Sequence, residues 1–278
     1  YNHYSMKYLV KKIFEFKKYL TILILKIRGM FYINSSSAPD NLFILTMQKS
    51  GSQWIKQVLN DKRVKKQSNL YLYPQHRYEW NQFHEKFPRG VFVPGLYMSY
   101  DLYEEIKKPK NYKTLCIMRD PRDIVISWYF SMLKTHALMG KVGRYRKALK
   151  NMNIDEGLHY CIDELSTKFI AMRTWINNKN DKNLYIVKFE DLTKDPDEVF
   201  RKIFKHLNIN VNESEIRQIN KKYSKENMRK KDLENRQDKS DSHYRKKASK
   251  HSDYFTERHY EHFYNVTGDL VSALGYEK

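Results

Sequence analysis

The sequence predicts an α/β protein with a mainly parallel central sheet and helices on both faces. Three observations carry this expectation. Short apolar runs of strand length alternate with longer segments of helical period. Two of those runs, 41–46 (NLFILT) and 113–118 (KTLCIM), each lead through a polar loop into a helix. Hydrophobic residues make up 41% of the 278, enough to fill the core of such a sheet.

Taken in order, residues 6–31 come first. They interleave Lys7, Lys11, Lys12, Lys17, Lys18, Lys26 and Arg28 with Leu9, Val10, Ile13, Phe14, Leu20, Leu23, Ile24 and Ile27, the pattern of a basic amphipathic helix. Such a helix either lies on an anionic membrane or packs its apolar face on the domain or on a second subunit; packing is the commoner arrangement. Ser35–Asp40 is a linker. The chain therefore divides into residues 1–40, helix and linker, and 41–278, the main domain.

Asn41–Thr46 is the first buried strand, Gln48–Ser52 a polar loop, and Trp54–Leu59 the start of a helix. Residues 60–90 show no firm period. Val91–Val93 is a short strand, and Asp101–Lys107 a helix stopped by Pro109. Lys113–Met118 is a second buried strand, Arg119–Asp123 a loop and Ile124–Lys134 a helix. Asp155–Asn177 has the length of a long amphipathic helix, Leu184–Phe189 that of a strand, and Asp197–Leu207 that of a helix. Residues 221–252, charged and poor in apolar side chains, read as a mobile loop, and Thr256–Leu274 returns to a helical pattern.

Charge narrows the partners. Lys and Arg number 52 against 32 Asp and Glu, a formal net of +20. That field suits polyanions or small molecules bearing phosphate or sulfate. Cys116 and Cys161 lack metal-ligand spacing and read as small buried hydrophobes, which suits a reducing, cytoplasmic setting. No apolar run approaches the roughly 20 residues of a membrane span, and no signal peptide is evident.

The chemistry concentrates in two segments. Residues 46–54 (TMQKSGSQW) follow the first strand. Gly51 permits close backbone approach to an anion, Ser50 and Ser52 add hydroxyl donors, Lys49 adds charge, and the next helix adds its N-terminal dipole. A Walker A loop places its lysine after the glycine; here Lys49 precedes Gly51. Residues 119–127 (RDPRDIVIS) follow another strand, with Arg119 at its end and Ser127 in the following helix. Ligands of open α/β sheets sit beyond the carboxyl ends of the strands, where both segments converge.

These two segments resemble the signature motifs of the sulfotransferases that use 3′-phosphoadenosine-5′-phosphosulfate (PAPS). TMQKSGSQW is similar to the family's 5′-phosphosulfate loop, approximately T-Y-P-K-S-G-T-T-W, and RDPRDIVIS to its 3′-phosphate segment, approximately R-[ND]-P-[KR]-D-x-x-x-S. Weaker echoes are Phe189–Pro196, Lys222–Met228, the run Tyr244–Lys247 with Tyr254–Thr256, and Gly268–Tyr276. The resemblance runs from about residue 41 to the end. It implies a P-loop-like three-layer fold with a mainly parallel central sheet of about five strands flanked by helices, PAPS as co-substrate, 3′,5′-adenosine bisphosphate (PAP) as product, and no metal. By the same resemblance Lys49 stabilises the departing phosphate, while Ser50, Gly51, Ser52 and Gln53 hold the 5′-phosphate. Trp54 stacks on the adenine, with Tyr223 and Ser224 nearby. Arg119 and Ser127 grip the 3′-phosphate, and Arg245 and Lys246 add charge to it. Asp123 is expected to be a structural partner of its loop.

This chain departs from the pattern in two places. Lys247 stands where the family has a glycine after Arg245 and Lys246. Many members also carry a catalytic histidine in a K-T-H segment, and the corresponding 91–100 (VFVPGLYMSY) has none. His136, nine residues past Ser127, is the first candidate base; His76, His84, Asp101 and Glu104 are others. An acidic or amine acceptor would need little base, and an inactive chain none. The expected partner is a small-molecule or sugar acceptor rather than nucleic acid, with aromatics such as Tyr71, Tyr73, Tyr97 and Tyr100 either lining its pocket or serving the core. Oligomeric state stays open. Two other classes compete: a P-loop-type nucleotide-binding protein or kinase, which explains only the first loop, and a basic polyanion or membrane binder, which explains only the charge.

Overall fold

A computed structural model describes residues 2–33, 37–47, 49–74, 86–136, 138, 140–234 and 250–277. Helix α1 spans Asn2–Met30. The domain proper opens with β1 (Asn41–Thr46), α2 (Ser52–Leu59), α3 (Lys62–Ser68), β2 (Tyr71–Leu72), β3 (Val91–Leu96) and α4 (Tyr100–Glu104). Then come β4 (Tyr112–Met118), α5 (Pro121–Phe130), a π-helical turn at Ser131–Thr135, α6 (Val142–Lys150) and α7 (Ile154–Asn177). The remainder comprises β5 (Leu184–Lys188), α8 (Phe189–Lys194), α9 (Pro196–His206), α10 (Glu213–Lys222), α11 (Lys225–Glu234), α12 (Glu257–Thr267) and α13 (Leu270–Ala273).

Five strands form one sheet in the order β2-β3-β1-β4-β5, and every pairing is parallel. Alternate strand residues enter different cores. Phe43, Leu45, Cys116 and Met118 pack with α5, α7 and α12 on one face. Leu42, Ile44, Leu115 and Ile117 pack with α2, α9 and α10 on the other. The strands therefore read as continuous apolar runs because both faces are covered.

Several boundaries differ from the sequence reading, each for a local reason. The 119–123 stretch is not all loop: Asp120 caps α5 by accepting from the Arg122 N–H at 2.9 Å, and Pro121 starts the helix. That helix gives way at Ser131 to the π-turn. Within 60–90, where periodicity was silent, α3 forms behind the Asp61 cap and ends at Asn69 with φ 55°. The edge strand β2 has only two residues, too few for a pattern. Of the stretch 221–252, expected to be a mobile loop, 225–234 is helix α11.

Candidate active site

The site begins with register. In β1 and β4, Thr46 pairs with Ile117, so the loops after the two strands leave the sheet side by side. Leu96 pairs with Leu45, which brings the segment after β3 to the same end. Lys49 lies in the first loop with φ 70°, a left-handed conformation that is uncommon outside glycine. Gly51 follows with φ 82° and is the N-cap of α2, with no side chain capping that helix. A Cβ on Gly51 would stand 2.7 Å from two ring carbons of Phe189, so glycine is required there on two counts.

The two motifs are joined directly. Arg119 Nη1 donates to the Lys49 carbonyl at 2.9 Å. Its guanidinium lies over the Phe189 ring, 4.9 Å from the centroid, and 3.8 Å from Asp123. Burial pushes the Arg119 guanidinium down from its ordinary value, while Asp123, Glu190 and Asp120 oppose that shift. Lys49 Nζ reaches the α5 side of the cleft and donates to Ser131 Oγ at 3.1 Å. Ser127 is one helical turn before Ser131 and on the same face. Lys49, Gly51, Arg119 and Ser127 thus lie on the loops and helices that follow β1 and β4.

Ser50 Oγ, Trp54 Nε1 and Arg119 Nε of this cluster are buried without a hydrogen-bond partner among the described residues. Such orphans are costly unless a ligand or water meets them. Unspent donors beside a helix N-terminus fit an oxyanion, so the residues present suit a phosphate-bearing group. Ser52 and Gln53 open α2 and are half-buried.

Trp54 also borders a cavity of about 450 Å³, shared with Thr193, Pro196, Asp197, Arg217, Asn220, Lys221, Ser224 and Lys225. The indole meets Phe200 edge-on at 6.1 Å. Ser224 lines the cavity and accepts the Asn227 N–H at 3.3 Å. Tyr223 has a structural attachment, its hydroxyl donating to Asp61 Oδ2 at 3.2 Å. Asp61 also takes Lys222 at 2.9 Å and Arg63 at 2.9 Å. Burial opposes its charge, yet those hydrogen bonds hold its carboxyl well below the usual carboxylate range. Asp61 therefore ties α3 to the end of α10 beside the cavity, a role with no motif to announce it.

A second layer holds the arginine motif. Arg122 pairs with Asp120 at 2.7 Å and donates to the Glu277 carbonyl. The Asp120 N–H donates to Glu190 at 3.1 Å, and Tyr276 donates to the other Glu190 oxygen at 2.6 Å. Asp123 accepts the His251 N–H at 2.7 Å, which agrees with its expected structural part.

The base candidates divide. His136 ends the π-turn that begins at Ser131; its N–H donates to the Ser131 carbonyl at 2.8 Å, and its own carbonyl accepts from Arg146 at 2.6 Å. Glu104 pairs with Lys108 at 3.1 Å, and Asp101 is exposed on α4. His76, His84, Gln48, Arg245 and Lys246 lie outside the described residues. Of the aromatics, Tyr71 packs under Arg28 at 3.9 Å, Tyr73 against Phe87, and Tyr100 against Trp175 with its hydroxyl on Asp181, so these three serve the scaffold. Tyr97 is half-buried just past the carboxyl end of β3.

Among the described residues, Asp155, His159 and His259 bring potential metal-ligand atoms within 4.8 Å of one another. The Thr256 N–H donates to His259 Nδ1 at 3.0 Å. Nε2 must then carry the ring proton, and it donates to the Asp155 carbonyl at 3.1 Å. This group is engaged as a clasp between α7 and α12.

The parallel sheet, with two polar loops side by side at the carboxyl ends of its strands, defines an α/β protein of the class whose ligand sites lie at that end. Residues 39–275 match the family model described as Sulfotransferase domain. The chain belongs to the sulfotransferase family. The amine sulfotransferase of Oryctolagus cuniculus is 25% identical over 200 residues, covering 68% of this chain and 63% of that protein. The chain thus spans less than two thirds of that relative's length. Sulfotransferase 1C2 of Homo sapiens is 23% identical over 214 residues, covering 71% of this chain and 69% of that protein. Among solved structures, mouse sulfotransferase SULT7A1 complexed with PAP matches with a TM-score of 0.60 over 89% of each chain at 18% identity. Retinol dehydratase in complex with androsterone and inactive cofactor PAP matches at 0.53, with 16% identity over 89% of this chain and 85% of that one. These structures share the fold. The kinase and non-catalytic polyanion-binder readings are not favoured beside a family match of this extent.

Proposed function

We propose that this protein transfers the sulfuryl group of PAPS to a hydroxyl or amine of a small-molecule or carbohydrate acceptor. The observation that carries the reading is the cluster of buried donors without partners among the described residues, Ser50 Oγ, Trp54 Nε1 and Arg119 Nε, around a left-handed loop at a helix N-terminus. In this reading residues 41–278 are the catalytic domain and 1–40 an appended segment. Ser50, Gly51, Ser52 and Gln53 take the 5′-phosphate, and Arg119 and Ser127 take the 3′-phosphate. The adenine enters the cavity between Trp54 and Ser224, past Tyr223. Arg245 and Lys246 add charge from the segment before His251. A cytoplasmic setting belongs to this reading, supported by the two buried free thiols.

The chemistry follows from charge. A lone pair of the acceptor attacks sulfur in line, and the S–O bond to the 5′-phosphate breaks. The bonding electrons leave with that phosphate, giving PAP, and the acceptor proton passes to a base, assigned here to His136. Lys49 changes partners, from Ser131 to the bridging oxygen, as negative charge grows there. Positive charge comes from Lys49 and Arg119, so the reading requires no metal.

Calorimetry with PAP, AMP and ATP on wild type and Arg119→Ala tests the proposal. A clear preference for PAP, lost in Arg119→Ala, supports it. Equal affinity for all three nucleotides, or none for PAP, overturns it.

A further inference from the structure

Helix α1 has two faces with opposite fates. Ile22, Leu25 and Gly29 face the domain: Leu25 is buried, Ile22 packs on the same core, and a Cβ on Gly29 would stand 2.9 Å from Pro88. Arg28 fastens this end. It donates to the Asn69 and Gly90 carbonyls and to the Asn69 side chain, and it stacks on Tyr71 at 3.9 Å.

The other side is apolar and open. Leu9, Ile13, Phe16, Leu20, Leu23 and Ile27 recur at alternating spacings of four and three, which sets them on one side of the helix. Each is 42–66% exposed. Tyr19 and Ile24 widen the strip, and Phe31 and Ile33 extend it beyond the helix end, all exposed. The packing expected as the commoner arrangement is therefore made by the narrow Ile22–Leu25–Gly29 side, while the broad apolar side stays in solvent.

Charge decides what covers that side. The helix carries seven Lys and Arg against Glu15 alone, and Lys12, Lys17 and Lys26 are exposed at the margins of the strip. If two copies paired in parallel through this seam, Lys12 of one would face Lys17 of the other, like charge on like. A broad apolar strip edged by cations matches an anionic lipid surface, whose acyl region takes the side chains and whose headgroups take the lysines. No helix of the described residues is long and apolar enough to cross a membrane, so the helix must lie in the interface plane.

We propose that α1 is a peripheral membrane anchor that lays its Leu9–Ile27 face into an anionic bilayer surface. Its clamp, at Asn69, Tyr71 and Gly90, sits at the amino ends of β2 and β3. The nucleotide loops leave the opposite ends of the strands, so attachment leaves the donor site clear of lipid.

The test is co-sedimentation of the full chain with vesicles of phosphatidylcholine alone or mixed with phosphatidylserine. Two variants accompany wild type: Leu20→Asp/Leu23→Asp and Lys12→Glu/Lys17→Glu/Lys26→Glu. All five positions are exposed, and circular dichroism confirms that both variants fold. Wild type is expected to bind the anionic vesicles, to release with salt, and to lose more than about tenfold in partitioning in either variant. Wild type left in the supernatant with anionic vesicles overturns the proposal, as does binding undiminished by Leu20→Asp/Leu23→Asp. A concentration-dependent dimer, abolished by the same substitutions in a chain that ignores vesicles, also overturns it and assigns the strip to a second copy.

Discussion

Gly51→Ala adds one methyl group to the loop between β1 and α2, against the Phe189 ring. Gly51 holds φ 82° and ψ 14°, where an L-residue costs about 1–2 kcal/mol. The new Cβ would stand 2.7 Å from both Cδ2 and Cε2 of Phe189. Carbon atoms rest at about 3.5–4.0 Å, so the ring must retreat by roughly 1 Å. Overpacking of that kind costs about 1–3 kcal/mol. The sum, about 2–5 kcal/mol, sits within the 5–15 kcal/mol stability of an ordinary domain, so the variant folds with a lowered Tm. Phe189 cannot retreat alone, because Arg119 rests on its ring and reaches from there to the Lys49 carbonyl. Calorimetry should therefore show PAP affinity weakened by at least about tenfold, the equivalent of roughly 1.4 kcal/mol. A double-mutant cycle isolates the ring: in a Phe189→Leu background Gly51→Ala should cost less, since only the φ penalty persists. Wild-type Tm and PAP affinity in Gly51→Ala, or an undiminished cost in the Phe189→Leu background, would refute the reasoning.

The catalytic roles separate in kinetics. Lys49→Met should lower kcat by about 10²–10³ while PAP affinity changes little, because its charge is used mainly in the transition state. His136→Asn should lower kcat with a hydroxyl acceptor and remove the acidic limb of the kcat–pH profile; an unchanged profile removes His136 from the mechanism. Stability should fall in mild acid. Burial first, then Arg122, depresses the pKa of His251, and burial, then Lys113, depresses that of His206. Both groups are neutral in the fold but take a proton on unfolding below about pH 6.5, so the contribution is whole above that pH and declines as pH falls through it. The slope is at most about 1.4 kcal/mol per pH unit per histidine, readable from urea midpoints between roughly pH 7 and 5. His206→Phe should flatten half of it.

What the sequence disclosed about this site follows from where its chemistry is covalently close. Lys49, Gly51 and Trp54 are within six residues of one another, and Arg119 and Ser127 within nine, so local pattern named them. Contacts between distant residues left no such trace. Ser131 receives Lys49 across 82 positions, and only the π-turn geometry brings it to the cleft. Asp61, which steadies Tyr223 from 162 residues away, lies in a stretch with no firm period and no motif. The strands were legible because burial on both faces leaves continuous apolar runs, yet β2, two residues long, offered no run to read. Helix α11 was hidden for a related reason: its only buried side chain is Met228, so it shows almost no apolar period and is set by its surroundings. The missing K-T-H histidine is the departure that bears on the base. Leu96 pairs with Leu45, so the segment after β3 arrives beside the Lys49 loop, with Tyr97 half-buried just past the strand. On the proposed reading, differences in acceptor should arise from residues 97–99 and 131–136 rather than from the loops that carry Lys49 and Arg119.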